Sequence, residues 1–394
     1  MSVISKRALA AASSFSTLEN FYFHSRYGER RGDPRICDFT FGNPHEFPLQ
    51  GLVDSIQTRA VPHNKDWYAY KTSEPEPRAF LATAISDELG LAFEPEDIAL
   101  TAGAFAAIAV TFRLVLDAGD EAIFSLPPWF CYEPMLRAAD AVPVKVNLAG
   151  ERFDLDLEAI EAAITLKTRL VIVNTPHNPT GRIYGREELS ALAEILERAS
   201  ERMGRRIYLL SDEPYRRIRF DGRGFTSPAA IYPWTLISYS YGKVLLAPGQ
   251  RLGYLTVSPL MPAPERKVFQ DNFFSAQMSV GWCFPNALMQ YAIQDLESLS
   301  IDIDALTRKR DLLMQALEAA GYDVLPPEGT FYLFCKCPDA DEMAFWNGLA
   351  DRDVFVLPGH VMEVPGYFRI SLTASQDMVE RAIPAFTEMA RAGA

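Results

Sequence analysis

The sequence predicts an α/β fold built on a mostly parallel sheet, and three observations predict it. Short apolar runs alternate with amphipathic ones through the middle of the chain. Three successive apolar runs each end in a polar cluster. The last third then changes character. Taken in order, Glu121-Ala-Ile-Phe-Ser-Leu126 reads as a strand and Leu155 to Ile164 has helical spacing. Arg169-Leu-Val-Ile-Val-Asn174 is a buried strand, and Arg186 to Met203 is a long helix with one polar face. Arg206-Ile-Tyr-Leu-Leu-Ser211 and Thr235-Leu-Ile-Ser-Tyr-Ser240 are two more strands. Strands separated by helices are the signature of βα units, because parallel neighbours need a crossover between them.

Further along, Ile303 to Ala320 predicts a helix stopped by Gly321. Phe331 to Lys336 and Tyr367 to Leu372 predict strands, and Ser375 to Ala390 a closing helix. The Pro- and Gly-rich stretches Leu325 to Gly329 and Leu357 to Gly366 are expected to be loops. The expected division is a large domain over 46–286. A smaller α+β domain takes 1–45 with 287–394.

The chain has 394 residues, 48% of them hydrophobic, which is enough for a large core. A formal net charge of -13 argues against nucleic acid and anionic membranes as partners. No window is long and apolar enough to span a bilayer. Five cysteines, an odd number, and no visible secretory signal point to a reduced, cytoplasmic setting. Cys335 and Cys337 share a strand face by alternation, but no second pair or nearby histidine completes a metal site, so no metal is expected.

Ligands of open parallel sheets sit beyond the C-terminal strand ends. There the sequence places Thr175-Pro-His-Asn-Pro-Thr-Gly181, Ser211-Asp-Glu-Pro-Tyr215 and Ser238-Tyr-Ser-Tyr-Gly-Lys243, the last continuing to Pro248-Gly-Gln-Arg-Leu-Gly-Tyr254. Together with Asp38-Phe-Thr-Phe-Gly-Asn-Pro44, these clusters make the chain, from about Asp38 to its C-terminus, resemble the class I/II aminotransferases, which are fold-type I enzymes of pyridoxal 5'-phosphate (PLP).

The resemblance implies a role for each matching position. Lys243 would be the amine that condenses with the cofactor's aldehyde and then shuttles a proton. Ser240 and Arg251 would bind the phosphate, the guanidinium fork suiting it bidentately. Asp212 would keep the pyridine nitrogen protonated, so that the ring acts as an electron sink. Tyr215 and Asn178 would donate to the ring's phenolate oxygen. Thr101-Ala-Gly-Ala-Phe-Ala-Ala-Ile108 resembles the phosphate loop opening a helix, with backbone N–H groups of Ala104 and Phe105 as donors. Phe105 stands where the family often has a polar residue, so one side-chain contact is missing. Pro127-Pro-Trp-Phe-Cys-Tyr132 resembles the stretch that stacks on the ring. Trp129 holds that position, with Phe130 as the alternative.

For the substrate, Tyr367-Phe-Arg-Ile-Ser-Leu372 places Arg369 at the family's α-carboxylate anchor, and Gly42 beside the same carboxylate. Asn178 would also touch substrate. The other reading of Arg369 is an internal salt bridge with an acidic side chain. Trp67-Tyr-Ala-Tyr70 resembles the tyrosine that reaches the phosphate of the opposite subunit. Tyr70 is favoured over Tyr68, although Ser73-Glu-Pro-Glu-Pro77 replaces the usual following glycine. This implies a homodimer with shared active sites.

The implied reaction moves an amino group between an L-amino acid and a 2-oxo acid. Dicarboxylate-specific members use a second arginine from the partner subunit. The corresponding stretch, Phe269 to Asn286, has none, and offers Phe273, Phe274, Met278, Trp282 and Phe284 instead. That points to a neutral or aromatic donor, unless these residues are simply core. The same cofactor residues would also serve a C–S lyase, a cyclase or synthase, or an oxidase-like enzyme. Phe21-Tyr-Phe-His-Ser-Arg-Tyr27 is a candidate cover for the site.

Overall fold

The computed structural model describes residues 3–281 and 284–392, so Trp282 and Cys283 lie outside the described residues. Among the described residues eleven strands form two sheets. They are β1 (Cys37–Phe39), β2 (Ile98–Thr101), β3 (Glu121–Leu126), β4 (Val142–Asn147), β5 (Thr168–Asn174), β6 (Tyr208–Asp212), β7 (Thr235–Ser240), β8 (Gly253–Val257), β9 (Tyr332–Lys336), β10 (Val354–Pro358) and β11 (Tyr367–Ser371).

The larger sheet runs β2-β8-β7-β6-β5-β3-β4. The run from β4 to β7 is parallel, and β8 pairs antiparallel with both β7 and β2. β5 to β8 are buried on both faces, apart from Arg169 and Tyr208 at the strand starts, which is why their sequences read as continuous apolar runs. β5, β6 and β7 end together at Asn174, Asp212 and Ser240, and this common edge positions the site. The smaller sheet runs β1-β10-β11-β9. β1 pairs parallel with β10, so the strand before the Gly42 turn is held by the C-terminal part of the chain.

The helices at Arg186–Met203 and Ile303–Ala320 fall where the periodicity places them, and Gly321 closes the latter in the left-handed region at φ 96°. One expectation is corrected. Leu357 to Gly366 is not all loop: Leu357 and Pro358 complete β10, and Gly359–Met362 is a 3-10 turn. The fully buried run Val354-Phe-Val-Leu357 carries the strand to Pro358, whose ring is tolerated at its end. The helix Ala287–Glu297 buries Met289, Ala292, Ile293 and Leu296 in one core with Leu52 and Leu81 from earlier helices and with β7 and β8. Among the described residues no helix is long and apolar enough to cross a membrane.

Beneath the strand edge lies a buried ionic cluster. Glu213 accepts from the Ser211 and Ser227 hydroxyls and faces the Arg216 guanidinium at 3.4 Å. Arg216 also pairs with Glu88 at 2.7 Å, donates to the Tyr254 hydroxyl and lies 4.4 Å over the Tyr239 ring. Removing one partner of such a pair strands the other charge. Arg216→Met is therefore expected to destabilise the protein by about 3–5 kcal/mol, read as a drop in the denaturant midpoint.

Candidate active site

Lys243 lies in a short helical turn, Tyr241–Val244, directly after β7. Its ammonium faces a cavity of about 250 Å³ between the two sheets. The Nζ sits 5.6 Å from the Tyr215 ring and 5.8 Å from the Phe331 ring. Ala104, Phe105, Trp129, Asn178, Asp212, Tyr215, Ser240, Arg251, Gly42 and Arg369 line the same cavity. These residues span most of the chain, and the strand edge with the Gly42 turn gathers them at one place.

One end of the cavity is made for an anion. The helix Ala104–Val115 begins after Gly103, whose φ of 80° only glycine adopts without strain. A Cβ on Gly103 would lie 3.1 Å from the Arg251 Nη2. Across the sheet, a Cβ on Gly253 would overlap the Tyr239 carbonyl oxygen and come within 2.8 Å of the Gly103 Cα. Two glycines thus let the loop, β8 and Arg251 close together. Free N–H groups at the helix start, the Ser240 hydroxyl and the Arg251 guanidinium surround a space that suits a phosphate. Burial lowers the proton affinity of Arg251, a cost that an anion beside it removes.

Asp212 shows what the centre of the cavity lacks. Its Oδ2 accepts from the Tyr132 hydroxyl at 2.6 Å, while Oδ1 is buried and has no hydrogen-bond partner among the described residues. Burial pushes the carboxyl up to about 6, and the Tyr132 donation opposes that rise. A protonated ring nitrogen is the kind of group that satisfies Oδ1 and restores the carboxylate. Asn174 braces the arrangement: its Nδ2 donates to the Asp212 carbonyl at 2.8 Å, and its Oδ1 accepts from the Asn178 amide at 2.8 Å. Trp129 is held edge-on by Phe105 and Tyr132, with ring centres 5.1 and 5.2 Å away. The residues present therefore fit PLP.

Among the described residues Arg369 has no acidic partner. Nη1 donates to the Asn178 Oδ1 at 2.8 Å and Nη2 to the Thr40 carbonyl at 2.7 Å, which excludes the internal salt bridge. Its guanidinium lies 3.9 Å over the Tyr332 ring, and Nε is buried without a partner. Gly42 is required beside it, since a Cβ there would lie 2.8 Å from the Tyr332 hydroxyl.

Tyr70 is elsewhere. It is fully exposed and shares a surface groove with Tyr68, Lys71 and the 284–288 segment. Phe273 is core, Phe274 and Met278 are exposed, and Phe284 lines a separate surface recess, so none of these lines the cavity. Sequence reading missed Phe41, Asn174, Tyr132 and Tyr332. Asn174 and Tyr132 had a findable signal: each is a polar residue closing a motif already singled out.

Residues 39–386 match the family described as aminotransferase class I and II. The chain belongs to this family. It is a PLP-dependent transaminase, and its fold is that of the aspartate aminotransferases. The aspartate/prephenate aminotransferase of Thermus thermophilus is 32% identical over 366 residues, covering 91% of this chain and 92% of that protein. An amino transferase structure from Eubacterium rectale superposes with a TM-score of 0.88 at 29% identity, covering 100% of both chains. The Thermus thermophilus aspartate aminotransferase with maleate gives 0.83 at 26% identity, covering 99% of this chain and 100% of that one.

Both the lysine and the acid of this transaminase site can be tested directly. Lys243→Ala is expected to abolish the visible absorbance band that forms when PLP is added; a retained band would remove Lys243 from its role. Asp212 in the cofactor-free protein has a raised proton affinity, so its contribution to stability is present at low pH and lost as pH rises through about 6. Asp212→Asn should therefore stabilise the cofactor-free protein by about 2–3 kcal/mol at pH 8 and leave it unchanged near pH 4, as read by urea unfolding.

Proposed function

We propose that this transaminase takes its amino group from a neutral or aromatic L-amino acid and passes it to a 2-oxo acid. The observation that carries the substrate reading is the cavity's inventory of cations. Arg251 belongs to the anion end and Arg369 to the substrate carboxylate. Among the described residues no third arginine lines the space, and Phe41, Phe105 and Phe130 are part of its lining. A second carboxylate would meet aromatic rings there. The relatives named for aspartate and prephenate set the reaction type, and the aromatic wall favours a different donor.

Each residue has a distinct task. Arg369 binds the α-carboxylate through its free Nε edge, with Tyr332 behind it and Gly42 beside it. The NH2 end of Asn178, whose oxygen is taken by Arg369, donates together with Tyr215 to the ring's oxygen. Asp212 holds a proton on the ring nitrogen. Gly103 to Phe105, Ser240 and Arg251 hold the phosphate, and Trp129 covers the ring face. PLP, when bound, supplies a ring that takes up the charge left at the substrate's α-carbon. Lys243 would anchor the cofactor through its amine and, once that amine is free, would take the proton from the substrate's Cα. Aromatic walls exclude water from that transfer.

We further infer a homodimer in which Tyr70 of one copy approaches the phosphate site of the other. Its full exposure supports this, and Phe274 and Met278 are exposed as well. A cytoplasmic setting fits the free thiols of Cys37, Cys131, Cys335 and Cys337.

The test is a half-reaction. PLP-loaded protein is mixed with single amino acids and no oxo acid. Phenylalanine or leucine should convert the visible band to that of the pyridoxamine form and release one equivalent of oxo acid. Conversion by aspartate alone overturns the donor reading, and product formed catalytically without an acceptor identifies a lyase or oxidase. Arg369→Ala should weaken substrate binding by about 1.5–3 kcal/mol, seen as a raised KM.

A further inference from the structure

Tyr132 is the first residue of the helix Tyr132–Ala138, three positions after Trp129. Its ring is buried against Phe124 of β3, with centres 5.8 Å apart, and against Trp129. Its hydroxyl has one partner among the described residues, the Asp212 Oδ2. Burial and the neighbouring carboxylate raise the phenol's pKa well above its ordinary value, so it remains a donor. The bond holds Oδ2 and leaves Oδ1 buried and without a hydrogen-bond partner among the described residues, on a residue that lines the cavity.

We propose that Tyr132 is a positioning residue that acts through Asp212: its donation lowers the carboxylate's appetite for a proton and so keeps the shared proton on the cofactor's ring nitrogen. The physical reason lies in the surroundings. In a buried, poorly solvated pair of carboxylate and pyridinium, the neutral arrangement competes with the ionic one. A hydrogen bond to the far oxygen favours the charged carboxylate, and hence the charged ring. The same helix start thus governs the ring twice, with Trp129 facing the cavity and Tyr132 reaching the acid. This inference rests on the assignment of Asp212 to the ring nitrogen.

The test is the 15N resonance of ring-labelled PLP in the intact enzyme. Asp212→Asn should carry it far towards the position of neutral pyridine. Tyr132→Phe should carry it part of the way in the same direction and raise the PLP dissociation constant roughly tenfold, the loss of one charged hydrogen bond. Replacing Tyr132 with 3-fluorotyrosine, a stronger donor of nearly the same shape, should move the resonance the opposite way. If Asp212→Asn moves it and both Tyr132 replacements leave it in place, the role of Tyr132 is overturned while that of Asp212 stands. No movement with Asp212→Asn overturns both. Should Tyr132→Phe fail to fold, the fluorotyrosine protein decides alone.

Discussion

Two buried charges of opposite sign, Asp212 and Arg369, have only neutral partners within the described chain, and the site is organised around that constraint. Burying an ion is costly unless it is paired. The protein meets the cost in part, with a phenol and a seryl neighbour for the acid and an amide oxygen, a carbonyl and an aromatic face for the base. It stops one atom short in each case. Glu213, next in sequence to Asp212, shows the alternative: it has two hydroxyl donors and a buried arginine. Adjacent carboxylates are thus treated differently, one closed into the structure and one left open to a ligand.

Much of this was legible in the sequence, because many of the residues that line the cavity lie immediately beyond apolar runs. The runs ending at Asn174, Asp212 and Ser240 each carry Leu, Ile or Val pairs or longer apolar stretches, and the polar residues after them fall at a sheet edge. Arg369 was legible for the complementary reason, as a charge in a strand that is otherwise apolar. Tyr332 and Phe41 were not. Each sits in a run of aromatics where most members are core, and local pattern does not say which ring faces a cavity. Thr40 contributes only a carbonyl, which no side-chain pattern reveals. β10 was hidden in part by its own ending, since Leu-Pro-Gly reads as a turn unless the pairing with β1 and β11 is known.

The boundary between domains is less legible than the site, and the helix Ala287–Glu297 shows why. The division expected from sequence groups it with the C-terminal part of the chain, 287–394. Its buried face joins the core of the larger sheet. A helix's own periodicity reports that it has a buried face and not which sheet that face meets.

Phe41 belongs to two structures at once. One edge forms the cavity wall, and the other packs against Phe21, Tyr22 and Tyr27 of the N-terminal segment, with ring centres 5.4 to 6.2 Å apart. Two sides of one cavity thereby come from distant parts of the chain. Lys243, Asp212 and Asn178 lie at or just beyond the edge of the large sheet, while the Phe41 wall is propped from a short stretch near the start of the sequence. Under the proposed function, a change in that prop would alter the range of amino acids admitted while leaving Lys243 and Asp212 in place.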